Sequence, residues 1–138
     1  MVPQVLAEGT NGVLSTRNRL MKLLTDQQRA QLLANGQAAR QAQQKGTDTD
    51  PRPVVKLYIP DGYGRWLLTE MDPLEFDRAY GLCDLGIGRP ELGYVSLSEL
   101  EDEARKLPYP VKPDPRFVAD RPLSAYTAVA YARGLIID

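Results

Sequence analysis

Four carboxylates, Glu70, Asp72, Asp84 and Glu91, are the residues of this chain whose type and spacing could do chemistry. Clustered acids can pass protons or hold a divalent cation, the chemistry of a small cation-dependent hydrolase or nuclease. Their spacing matches no ligand motif, however, and the turns of any sheet collect acids. The run Glu99, Glu101, Asp102, Glu103 needs only the positive end of a helix dipole to explain it. Histidine is absent, which removes His-based zinc sites, Ser-His-Asp and Cys-His catalysis and histidine acid–base work. Cys83 stands beside Asp84, whose charge would disfavour a thiolate. It reads as a packed core cysteine. Gly86-Ile87-Gly88 lacks the Gly-Lys-Ser/Thr that completes a phosphate loop, and Pro90 blocks a dinucleotide-type helix start. A wide turn between strands accounts for it.

A second set could bind without reacting. Tyr63, Arg65 and Trp66 lie at one turn, and Asp84, Arg89, Glu91 and Tyr94 surround the glycine loop. Arginine offers planar bidentate contacts and aromatic rings offer rigid area; both can stack on single-stranded bases. Strand alternation puts Arg65 and Trp66 on opposite faces, so they share one site only across a bulge. The plainer reading makes Trp66 and Tyr94 core residues and the arginines solubility charges.

These residues need a scaffold, and 138 residues with 43% hydrophobic and 25% charged side chains suffice for one globular domain. A single cysteine cannot form an internal disulfide, which fits a reducing, cytoplasmic setting. No apolar run approaches the roughly 18 residues of a membrane span, and no compact apolar centre marks a secretory signal in the first twenty residues. Charge is uneven: Met1 to Lys56 carries eight Lys/Arg against four acids, while the remainder carries nine against fourteen. Such asymmetry could steer a nucleic-acid or acidic partner, although a solvated helical surface also explains it.

Residues 1 to 20 read as an irregular arm broken by Gly9-Thr10-Asn11-Gly12, and 21–138 as a single α+β domain. Thr25 and Gln28 form a capping box for a helix to about Ala34, where Asn35-Gly36 offers a stop. A second, exposed helix is expected over Gln37 to Lys45, followed by a polar linker. Val54–Ile59 and Arg65–Glu70 flank a Pro/Gly turn and predict a hairpin. Arg78–Leu85 and Gly93–Val95 are the next strands. Ser96 and Glu99 start a helix over about Leu97 to Leu107, ended by prolines. Tyr109–Pro115 should be a strap or sheet edge, Arg116–Ala119 a short strand, and the last helix should run through Arg133 to Gly134. The fold class is α+β: an antiparallel four- to five-stranded meander packed by N-terminal, middle and C-terminal helices.

Several blocks together resemble the bacterial family of domains of unknown function numbered 2958. They include Met21-Lys22-Leu23-Leu24-Thr25, Trp66-Leu67-Leu68-Thr69-Glu70, Gly81-Leu82-Cys83-Asp84-Leu85-Gly86, the run Pro90 to Leu100, and Pro122-Leu123-Ser124-Ala125-Tyr126. The resemblance spans residue 21 to about 134. It implies a small protein of plasmids and other mobile elements, sometimes carried near antirestriction genes, with no activity or functional residue to transfer. The expectation is therefore a non-enzymatic accessory protein without a cofactor, of counter-defence type (antirestriction or anti-CRISPR). It would act through a protein or nucleic-acid partner, or as a homodimer. The cation-dependent hydrolase is the alternative.

Overall fold

The computed structural model describes residues 23–104 and 110–138. The expected N-terminal arm and the last residues of the expected middle helix lie outside that range. Helix α1 spans Asp26–Gln44 and opens on the capping box: Thr25 accepts from the Gln28 N–H, and Gln28 accepts from the Thr25 N–H. The two helices expected on either side of Asn35-Gly36 are one. Gly36 does not stop the helix; it lets it touch the sheet, because a Cβ there would overlap the Met71 carbonyl.

Five strands follow in an antiparallel sheet: β1 Val55–Tyr58, β2 Arg65–Met71, β3 Arg78–Asp84, β4 Glu91–Ser96 and β5 Lys112–Pro113. Their order is β4-β3-β2-β1-β5, a meander with the short proline-rich strand added at the far edge. Helix α2, Leu97–Glu103, continues directly from β4. Its N-terminus is capped by Ser96 and by Asp77, which accepts from the Ser96 hydroxyl and from the Ser98 amide and hydroxyl. The Ser96 and Ser98 hydrogen bonds pull the Asp77 carboxyl below its ordinary value, against a weaker opposing effect of burial. The strand expected at Arg116–Ala119 is absent; the chain enters this irregular segment through a turn at residues 115–116 held by Asp114, which accepts from the Arg116 and Phe117 amides. Helix α3, Leu123–Arg133, ends at Gly134 in the left-handed conformation.

Alternation along the strands divides the apolar residues into two cores. One face carries Val55, Leu57, Trp66, Leu68, Met71 and Ala79, covered by α1 through Leu32 and by α2 through Leu97 and Leu100. The other carries Leu67 and Leu82, covered by Leu123, Tyr126 and Ala130 of α3 and by Ile136. The fold is α+β as expected, with helices on both sides of the sheet.

Candidate functional site

The site begins with one extra residue in β2. Leu68 pairs with Gly81 and Glu70 pairs with Tyr80, so Thr69 is a bulge. Unbroken alternation would turn Glu70 toward Trp66 and Leu68, beneath α1. The bulge resets the phase: Met71 enters the α1 core and Glu70 turns to the α3 face. Asn35 of α1 holds the distortion by donating its amide to the Thr69 carbonyl at 2.9 Å. The Thr69 hydroxyl donates to the Tyr80 carbonyl. Asn35-Gly36, which reads as a helix stop, is therefore the pair that seats α1 on the bulge.

On the α3 face, register places Glu70, Tyr80 and Tyr94 in one row across β2, β3 and β4. The row floors a groove of about 740 Å³. Its walls are Ala39 and Gln43 of α1, the linker from Asp48 to Pro51, and Leu123, Ser124, Thr127 and Ala128 of α3. The linker is fastened to α3: Asp50 accepts from the Ser124 amide and hydroxyl, and the Pro51 carbonyl accepts from the Leu123 amide. Asp50 thus supplies the helix cap that Pro122 cannot make with a side chain. The groove wall is covalently remote and structurally fixed.

The groove is acidic and aromatic. Burial raises the Glu70 carboxyl above its ordinary value, and among the described residues it has no ion pair or side-chain hydrogen bond. Tyr80 and Tyr94 meet edge to face with centroids 5.1 Å apart. Burial, then the Glu70 charge, raise the Tyr80 phenol. Arg78 lies over the Tyr94 ring at 4.2 Å while pairing with Asp72 and Glu75. Such a surface can hold a ligand with apolar and cationic parts. Strand β4 hydrogen-bonds to β3 alone among the described strands, so its outer edge is open beside the groove.

The residues singled out from the sequence scatter. Trp66 is 6% exposed in the α1 core. Arg65 faces the other way, and its guanidinium donates to the Ile59, Gly62 and Gly64 carbonyls, closing the hairpin turn. Asp84 is 3% exposed and accepts from the Gly86 and Ile136 amides. Tyr63, 79% exposed, stands where a Gly86 Cβ would fall; Gly86 has φ 81°. Arg89 is exposed in the same loop, and Glu91 faces the Cys83 side. Of the expected binding set only Tyr94, half-exposed, lines the groove, where it joins Glu70 from the acid set. The four acids do not assemble: Asp84 lies four residues along β3 from the position opposite Glu70, roughly 13 Å at strand rise. Among the described residues no three His, Cys, Asp or Glu could hold one metal ion.

Cys83 is a partly buried core residue whose thiol is pushed up to about 11. The cause is burial first and Glu91 second, not Asp84, since adjacent strand residues point to opposite faces. Sequence reasoning did not place Tyr80 in the site and treated Glu70 only as a catalytic acid. The available signal was the apolar spacing Trp66, Leu68, Met71, whose step from two to three marks the bulge.

A family model described as "Protein of unknown function (DUF2958)" matches residues 23–137. The chain belongs to this family. The match contains every strand and helix that builds the groove in this DUF2958 member. No curated protein and no solved structure matches the chain. No helix among the described residues is long and apolar enough to cross a membrane.

Proposed function

We propose that this protein is a non-enzymatic binding module that captures a protein partner in the groove beside β4. The observation that carries this reading is the Glu70–Tyr80–Tyr94 row, with a partly buried carboxylate that has no hydrogen-bonded or ionic partner among the described residues. A desolvated charge opposes folding unless something compensates it, and a ligand in the groove would do so. The sign of the charge favours protein over nucleic acid: Asp48, Asp50 and Glu70 line the groove. Phosphates would be repelled there. An open strand edge beside a shaped groove is a common way of receiving an extended segment. The same acids disfavour a homodimer through β4, because a two-fold axis would face them with their copies.

We infer a cellular setting that the family resemblance only suggests. The protein acts in the cytoplasm as an accessory of a plasmid or other mobile element, and blocks or recruits a host protein in counter-defence. Affinity purification of the tagged chain from a host lysate tests this. One stoichiometric protein should be recovered, and Tyr94→Ala should lose it. Salt-sensitive retention on DNA or RNA without a protein partner, or equal recovery by Tyr94→Ala, would sink the reading.

A further inference from the structure

The groove also specifies what enters it, an inference that rests on the protein-binding reading above. The rings of Tyr80 and Tyr94 meet edge to face at 60°, and register sets both in one row with Glu70. Aromatic faces attract cations through the ring quadrupole, most strongly where water is partly excluded. Among the described residues no cation of the protein pairs with Glu70. Arg78 is committed to Tyr94, Asp72 and Glu75. Arg40 lines the adjoining hollow with Glu70 but makes no ion pair with it.

We propose that the groove takes a single cationic side chain, a lysine ammonium or arginine guanidinium, carried by an extended segment of the protein partner. Its charge meets Glu70, and its apolar stem lies along the row that Tyr80 and Tyr94 line. Distance decides how the segment lies. Glu70 stands two strand spacings inside β4, roughly 10 Å, farther than a lysine or arginine stem reaches. The partner backbone therefore crosses the β4 edge over Leu92 and Tyr94, and pairing with the outer edge alone does not suffice. Leu92 and Tyr94, both partly exposed on that face, provide the apolar bed.

The test is an amide-resolved NMR titration of the full chain with three Gly/Ser hexapeptides carrying one Lys, one Arg or one Glu. Lys or Arg peptides should give saturable shifts at Glu70, Tyr80, Tyr94 and Ser124. Glu70→Gln, which keeps shape and removes charge, should weaken them about tenfold or more; Tyr94→Leu is the second variant should that protein fail to fold. Absence of saturable shifts at these amides, equal binding of the Glu peptide, or undiminished binding by Glu70→Gln overturns the proposal. If cationic peptides fail while the lysate partner is still lost on Tyr94→Ala, the cation inference falls and protein binding stands. If both fail, both fall.

Discussion

The two ends of the sheet use polar residues in opposite ways. At the glycine-loop end, Arg65 is spent on three carbonyls of the hairpin turn and Asp84 on two backbone amides. Every chemically suggestive side chain buried there closes the fold. At the bulge end, Asn35 holds the Thr69 carbonyl, and the next residue, Glu70, faces a groove without a partner among the described residues. A charged group matched by backbone is architecture, whereas one half-buried and unmatched is available to a ligand. Residue type alone would have ranked the ends the other way.

This contrast can be broken or sharpened by experiment. The largest expected effect is at the closed end: Asp84→Ala strands the amides of Gly86 and Ile136 and should lower stability by about 3 kcal/mol in urea unfolding. A change below about 0.5 kcal/mol would mean that Asp84 is not the clamp described. At the groove end, Gly36→Ala should destabilise by about 2 kcal/mol, because a backbone carbonyl cannot move aside as a flexible side chain can. It should also perturb groove amides around Glu70 more than those around Asp84. Equal perturbation at both ends would deny that α1 shapes the groove.

Cys83 reports on how well the closed end is sealed. With its thiol near 11, alkylation at pH 8 should be roughly tenfold slower than for a free cysteine, rising as pH approaches 11. Reaction at the free-thiol rate would show the end to be open.

The smallest effect carries the sign that distinguishes the ends. Glu70 has a raised pKa, so the folded state holds its proton more tightly, and a destabilising contribution develops as pH rises past the ordinary 4.5. Glu70→Gln should therefore stabilise at pH 7 by a few tenths of a kcal/mol, a figure kept small by solvent screening. The gain should vanish on acidification below the carboxylate range. Loss of stability at pH 7, measured by thermal unfolding across pH, would mean that Glu70 has a stabilising partner after all.

Much of the architecture was legible from local chemistry. The Thr25 and Ser96 helix starts, the hairpin flanking Pro60–Gly64, the proline-rich edge and the Gly134 stop each depend on residues close in sequence. Asn35-Gly36 misled because the pair has two physical uses, ending a helix or letting one approach a backbone. Choosing between them needs the Met71 carbonyl. Arg116–Ala119 misled because a short apolar run has the composition of a strand without a neighbour to pair with.

The sequence by itself determined the helix starts at Thr25 and Ser96, the hairpin, the α+β class and the absence of histidine chemistry, since each follows from composition or from residues a few positions apart. Tertiary structure decided that Glu70 faces the groove, that Tyr80 and Tyr94 meet it there, and that Arg65, Trp66 and Asp84 are consumed by the fold. The reason is register. One inserted residue reverses which side of a sheet a side chain occupies, and its position is set by contacts from a helix some thirty residues away.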